Sequence, residues 1–254
     1  MTTGYVGEIF SGIQGEGLHV GERQIFIRLL GCNLRCAYCD TAWAREPALY
    51  GRIEQTAGER DFEVRPNPMG VADLATFVGR LNAPPGSHDA VSITGGEPLA
   101  QAGFVHELAQ RLRQSGLRIH LETNGTLAAE LSAVLDAVDV IAMDIKLASS
   151  AGFECWDQHA AFLEAARPGV ADGSRLFVKA IIAQSTTEQE IKRVGGMLAS
   201  VTPHIPLVLQ PVTKVEHGPE PPSPSVVLRL QTVAKQFLTS VRVIPQMHKL
   251  MGQL

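Results

Sequence analysis

The chain has no run of eighteen unbroken apolar residues, so it contains no segment with the composition of an ordinary transmembrane helix. Its opening residues, Met1 to Ile9, lack the basic, long apolar and cleavable series of an export signal, and a soluble, cytoplasmic protein is expected. No dense run of Lys or Arg occurs, and the formal net charge is -4. This argues against a nucleic acid partner, because neutralising a phosphate backbone takes a concentrated positive surface. No repeat at solenoid period and no low-complexity tract is present. The chain has 254 residues, 45% of them hydrophobic, which is enough to bury a substantial core in one expected domain spanning 1–254.

Cysteine is also scarce, and its distribution is uneven. Three of the four cysteines fall in Gly31-Cys32-Asn33-Leu34-Arg35-Cys36-Ala37-Tyr38-Cys39-Asp40-Thr41, a C-x3-C-x2-C run. Clustered thiols in a chain without an export signal suit a reducing compartment, where they serve metals or catalysis. Three thiolates on one loop can ligate an iron–sulfur cube and leave one iron free for another ligand. A structural zinc site and a disulfide are the competing readings. Zinc would need a fourth Cys or His at finger-like spacing, and no second C-x2-C pair exists. Cys155 stands alone and reads as a small buried hydrophobe.

Apolar strands and amphipathic helices alternate along most of the chain. Strands are expected over Ile25–Leu30, Ala90–Ile93, Leu117–Leu121, Val138–Met143, Leu176–Ile182, Leu207–Leu209 and Val241–Ile244. Helical stripes are expected over Val71–Leu81, at Phe104, Leu108 and Leu112, at Leu127, Leu131, Val134 and Leu135, and over Thr187–Val201. Glu8 to Gly17 reads on composition as a surface turn, and Thr213 to Ser225 as a surface loop. Ala44 to Gly70 has little period and reads as an insertion or flexible excursion. Strand–helix alternation implies a parallel sheet with right-handed crossovers. Polar residues follow nearly every strand, at Thr94-Gly95-Gly96-Glu97-Pro98, Glu122-Thr123-Asn124-Gly125, Asp144-Ile145-Lys146, Gln210-Pro211 and Pro245 to His248. In a barrel such loops converge on one mouth. The expected fold is therefore α/β, a full or partial (β/α) barrel of about six parallel strands.

Single residues remain ambiguous at this level. Arg28, inside an apolar strand, either pairs with a structural carboxylate or faces a cavity for an anion. Glu122 and Asn124 read as turn and capping residues. Lys146 and Lys179 read as solvated charges on the barrel rim.

With Cys32, Cys36, Cys39, Tyr38 and Gly95-Gly96-Glu97-Pro98 together, the chain resembles the radical S-adenosylmethionine (SAM) superfamily. Further segments narrow the likeness: Ile13-Gln14-Gly15-Glu16-Gly17, Arg28, Asp40-Thr41, Gln210-Pro211-Val212 and Gln246-Met247-His248-Lys249. Together they resemble the 7-carboxy-7-deazaguanine synthase family, across Glu8 to Lys249. The resemblance implies conversion of 6-carboxy-5,6,7,8-tetrahydropterin to 7-carboxy-7-deazaguanine, on the route to queuosine and related deazapurines. The steps implied are hydrogen abstraction, radical ring contraction and loss of ammonia.

It also implies a [4Fe-4S] cluster on Cys32, Cys36 and Cys39, with S-adenosyl-L-methionine and Mg2+. Ile13, Gln14, Gly15 and Glu16 would line the pterin, Arg28 would grip its carboxylate, and Thr94, His248 and Gln246 would meet it. Tyr38, Cys39, Asp40, Gly96, Glu97, Asp144, Ile145, Lys146, Gln210, Pro211 and Val212 would contact the cofactor, and Thr41 would hold magnesium. A flavodoxin- or ferredoxin-like electron donor and a homodimer complete the expectation. The insertion at 44–70 has no counterpart in the family pattern. Two rival readings are a glycyl-radical activating enzyme and a non-enzymatic metal-binding module.

Overall fold

The computed structural model describes residues 2–169 and 175–253. The strands are β1 (Thr3–Gly4), β2 (Val6–Ile13), β3 (Arg23–Leu29), β4 (Tyr50–Glu54), β5 (Phe62–Pro66), β6 (Met69–Gly70), β7 (Ala90–Gly95) and β8 (Ile119–Thr123). They continue with β9 (Val140–Ile145), β10 (Leu176–Ile182), β11 (Leu207–Pro211) and β12 (Val241–Val243). The helices are α1 (Val71–Leu81), α2 (Ala102–Arg113), α3 (Ala128–Val134), α4 (Ala148–Ala151), α5 (Trp156–Ala166), α6 (Glu188–Val201), α7 (Pro224–Ala234) and α8 (Met247–Leu250).

Ten strands form one sheet in the order β12-β11-β10-β9-β8-β7-β3-β2-β4-β5. The seven from β3 to β12 in that order are mutually parallel, one more than expected. Helices α1, α2, α3, α5, α6 and α7 pack neighbour on neighbour in sequence, which makes one continuous outer layer. That is single winding, as in a barrel wall, and not the two-faced cover of a doubly wound sheet. Among the described residues no ladder joins β12 to β5, so the barrel is partial.

Strand alternation sorts the side chains into two sets. Ile25, Ile27, Leu29, Val91, Ile93, Ile119, Leu121, Ile141, Met143, Val178, Ala180, Leu207 and Leu209 face the helices and form the main core. The opposite parity faces inward. Towards the N-terminal ends of β9, β10 and β11 the inward residues are apolar, with Val140, Ala142, Phe177 and Val208 packed together, whereas β3, β7 and β8 place Gln24, Ser92 and His120 there. Towards the C-terminal ends they become Arg28, Thr94, Glu122, Asp144, Lys179 and Gln210, all on one cavity. Register brings two pairs of these together, since Arg28 lies opposite Thr94 and Asp144 opposite Lys179.

Local signals explain the element boundaries. Thr187 caps α6 with its hydroxyl on the Glu190 N–H, and the Glu190 carboxylate returns to the Thr187 N–H at 2.9 Å. Leu74, Val78 and Leu81 bury one face of α1, as their spacing requires.

Two composition-based expectations are corrected. Val6–Ile13 is a buried strand, not a surface turn. Its pattern is obscured by Glu8, a charge that becomes tolerable only when Arg28 and Arg52 neutralise it. Likewise, 44–70 is not a flexible excursion. Ala44 is fully buried, and β4 and β5 form a hairpin whose first strand adds in parallel to β2. Its hydrophobes are few because it lies at a sheet edge and covers only one side.

Candidate functional site

The loop after β3 carries the thiols and is held on both sides by backbone bonds. The Gly31 and Cys32 N–H groups donate to the Ala44 and Arg45 carbonyls at 2.9 and 3.0 Å, and Ala37 N–H donates to Ala151. Arg45 Nη2 donates to the Cys36 carbonyl, and the Asn124 side-chain amide donates to Asn33 at 2.8 Å.

Gly95 and Gly96 close the other side. A Cβ on Gly95 would lie 2.1 Å from the Leu29 carbonyl oxygen, and one on Gly96 would lie 2.2 Å from the Gly31 oxygen. Gly96 N–H and Glu97 N–H donate to those same two carbonyls, at 3.0 and 2.8 Å. The glycine pair therefore lets two backbones meet, and Gly96 remains on the cavity wall.

Cys32, Cys36 and Cys39 are partly exposed, unbridged and all open on this cavity of about 460 Å3. That volume lies in the usual range for small-molecule sites. Burial holds the Cys32 and Cys36 thiols above their ordinary range, opposed in part by the Lys146 ammonium. Among the described residues no three Cys, His, Asp or Glu side chains converge as a single metal ion requires. The donor set instead suits a multi-iron cluster, in which each thiolate takes its own iron. Cys155 is buried away from the cavity wall.

Ile13, Gln14, Gly15, Glu16, Arg28, Tyr38, Asp40, Thr41, Thr94, Asp144, Lys146, Gln210, Val212, Gln246 and His248 all line the same space. Glu97, Ile145 and Pro211 do not. The Glu97 carboxylate is fully buried and accepts from Leu99 N–H, the Thr123 hydroxyl and Asn124 N–H. Burial pushes its carboxyl up to about 7 in spite of those bonds. Glu97 thus ties the β7 and β8 loops together from behind the cavity wall. Ile145 is in the core facing the helices.

On one wall Arg28 donates through Nε to Glu8 at 2.8 Å, and Arg52 Nε donates to the other Glu8 oxygen at 2.9 Å. Arg28 pairs with a structural carboxylate, the first of the two alternatives read for it, and it also lines the cavity. Two guanidinium groups share one carboxylate, leaving net positive charge beside Thr94.

On the adjoining wall Glu122 is neither a cap nor a turn residue. It accepts from Gln14 Nε2 at 2.8 Å, Ser92 Oγ at 3.0 Å and Thr94 Oγ1 at 2.9 Å. Gln14 spends its amide N–H groups on Glu122 and Gln24. The capacity that Gln14, Glu16 and Glu122 still offer is therefore all acceptor.

A belt of charge circles the cavity. Lys179 Nζ lies 2.6 Å from Glu16 and 3.3 Å from Asp144, and Lys146 Nζ lies 3.1 Å from both Asp144 and the Tyr38 hydroxyl. Gln246 Nε2 donates to Glu16 at 2.8 Å and to Asp40 at 3.2 Å, while Lys249 pairs with Asp40 at 2.8 Å. Lys146 and Lys179 are 7% and 5% exposed, which corrects the reading of both as solvated rim charges. Burial works against their ammonium groups, yet the neighbouring carboxylates hold both above the usual lysine range. Burial also pushes the Tyr38 hydroxyl up.

Two acceptors on the wall lack aligned donors. Gln210 Oε1 is buried without a partner, and Asp144 Oδ1 has only the unaligned ion pair with Lys179. Buried polar atoms are rarely left so, and this pair fits the hydroxyl and amino donors of a nucleoside cofactor. The cavity's roof is α8, where Met247 N–H donates to the Gly15 carbonyl at 2.8 Å.

Sequence reasoning missed Glu8, Arg52 and Glu122 as cavity residues. A charged residue within an apolar strand, the signal that singled out Arg28, was equally available for Glu8 and Lys179.

The Radical SAM superfamily pattern matches residues 26–165. A 7-carboxy-7-deazaguanine synthase of Geobacter sulfurreducens is 45% identical, covering 97% of this chain and 96% of that protein. Another, from Methanopyrus kandleri, is 35% identical, covering 96% and 91%. In fold the chain is similar to the crystal structure of QueE from Escherichia coli, with a TM-score of 0.61 at 23% identity, covering 97% of this chain and 95% of that one.

Proposed function

Since this chain belongs to the 7-carboxy-7-deazaguanine synthase family of the radical SAM superfamily, we propose that its cavity binds 6-carboxy-5,6,7,8-tetrahydropterin beside the cofactor and turns it into 7-carboxy-7-deazaguanine. The chain is a radical SAM lyase acting in deazapurine biosynthesis. The observation that carries the reading is that the three thiols open on the same cavity as a cationic wall and an acceptor-only wall.

Arg28 and Arg52 receive the substrate carboxylate, because guanidinium groups match a carboxylate in shape and charge. Gln14, Glu16 and Glu122 accept the N–H donors of the aminopyrimidinone edge. His248 and Gln246 cover the bound ring and exclude water. Cys32, Cys36 and Cys39 hold the [4Fe-4S] cluster, and Asp144, Gln210 and Lys146 hold S-adenosylmethionine. Once bound, that pair supplies the one-electron chemistry that starts the hydrogen abstraction. Thr41, which lines the cavity beside Asp40, takes Mg2+, an ion that needs few protein ligands when substrate oxygens complete its shell.

The chain works as one domain, and the β4–β5 hairpin contributes Arg52 to the substrate wall. An external flavodoxin- or ferredoxin-like protein supplies the electron. The exposed apolar side chains of Trp43, Leu49, Tyr50 and Val64 around this hairpin support self-association as a homodimer. No helix among the described residues is long and apolar enough to cross a membrane.

Anaerobic incubation of reconstituted protein with reductant, cofactor and the carboxylated pterin tests the function. Formation of 7-carboxy-7-deazaguanine is expected, and cofactor turnover without any deazapurine would overturn it.

A further inference from the structure

Lysine is almost never fully buried unless it is paired. Lys179 is the one charged residue in β10, a strand whose seven residues are all buried. Register sets it opposite Asp144, and Glu16 reaches it from the loop after β2. We propose that Lys179 is a positioning residue that keeps the Glu16 carboxylate ionised and aimed at the substrate while tying it to Asp144 on the cofactor side. This rests on the substrate role given to Glu16 above.

The charges around Glu16 decide the argument. From β10 it faces Lys179, and that ammonium is in turn faced by Asp144 from β9 and Glu122 from β8. From α8 it faces the neutral Gln246 amide and His248, with the Lys249–Asp40 pair behind Gln246. On its own loop Gln14 Oε1 accepts from its backbone N–H. Burial pushes the Glu16 carboxyl up, but the Lys179 ammonium, by charge and by hydrogen bond, with smaller help from the Gln246 amide and His248, brings it down to about 2. Without Lys179, three carboxylates share the wall with Lys146, and Lys146 is bonded to Asp144 and Tyr38. Glu16 would then rely on one amide and His248, and burial would prevail.

The sign follows. With a raised carboxyl, Glu16 offers acceptors alone above that value, whereas below it one oxygen carries a proton and opposes the substrate's N–H donors, so substrate affinity is retained at high pH and lost as pH falls. In the native enzyme Glu16 stays ionised throughout the neutral range, and this source of pH dependence is absent.

The test is calorimetric titration of the carboxylated pterin into anaerobic, cluster- and SAM-loaded enzyme without reductant, between pH 6 and pH 8. Relative to wild type, Lys179→Met should weaken binding by about tenfold for each pH unit below the raised carboxyl value, the slope of a single linked proton. Lys179→Arg should restore a wild-type profile, and the double variant Glu16→Gln/Lys179→Met should bind weakly with no such slope. A wild-type profile in Lys179→Met, or the same slope in the double variant, overturns the proposal.

Thermal unfolding of the cluster-loaded proteins adds a readout that needs no substrate. The melting deficit of Lys179→Met should be large at pH 8 and smaller at pH 6, and it should be relieved in the double variant. If Lys179→Met fails to fold while the double variant folds, the unpaired carboxylate is the cause and the proposal stands. If both fail to fold, it falls. A wild-type enzyme that does not bind the pterin would refute the functional reading alone, and the melting data would still decide whether Lys179 holds Glu16.

Discussion

Substituting Gly15 by Ala should separate substrate recognition from folding. A Cβ at Gly15 would lie 2.3 Å from the His248 backbone nitrogen and 2.5 Å from both His248 Cβ and Nδ1. Ordinary carbon contacts need about 3.5–4.0 Å, so one partner must withdraw by more than about 1 Å. Gln14 is buried and bonded to Glu22, Gln24 and Glu122, whereas α8 has no buried residue. The helix therefore moves. Its withdrawal breaks the Met247–Gly15 bond and loosens Gln246 from Glu16, contacts worth about 0.5–1.5 kcal/mol each. If the roof must overcome that combined loss of about 1–3 kcal/mol to close on substrate, KM for the carboxylated pterin rises about 5- to 150-fold. Because α8 buries so little, Tm should fall by only a few degrees. Steady-state assays of deazapurine formation with calorimetry of the same samples measure both quantities, and Gly79→Ala, where a Cβ meets nothing within 4 Å, is the control. A KM within twofold of wild type would refute the reasoning. So would a collapse of Tm, which would make Gly15 a core residue.

Three further outcomes are expected. Changing any one of Cys32, Cys36 and Cys39 to Ala should lower bound iron and abolish cofactor cleavage, whereas Cys155→Ala should keep both, as iron analysis and the visible spectrum will register. Gly96→Ala drives a Cβ against the Gly31 carbonyl, so it should disturb the thiol loop and reduce cluster loading at least severalfold while the α/β circular dichroism persists. Arg28→Ala leaves Glu8 with Arg52 alone and removes the inner guanidinium. It should raise substrate KM by about 10- to 100-fold, the range for a charge-assisted pair, while S-adenosylmethionine affinity, measured by equilibrium dialysis, changes little.

Much of the scaffold was legible because its signals are local. The 3.6-residue period of Val71–Leu81 and the apolar run of Leu176–Ile182, interrupted only by Lys179, specify their elements, and the structure has both with those bounds. The hairpin in 44–70 escaped because edge strands carry a weak pattern, and β2 escaped because Glu8 interrupts its pattern. Glu122 resembled a capping residue only because its partners, Gln14 and Ser92, are distant in sequence.

By itself the amino-acid sequence determined the thiol spacing, the strand–helix alternation and the polar ends of the strands, all properties of neighbouring residues. Only the tertiary structure decided which of those ends would meet. Period-two alternation shows that Lys179 and Asp144 each occupy one face of a strand, but the register of β9 against β10 makes them opposite neighbours. Glu16 reaches Lys179 across 163 residues, and Gln246 reaches Glu16 across 230. A buried charge is stable only beside its counter-charge, and the chain's long-range path, not its local pattern, supplies that partner.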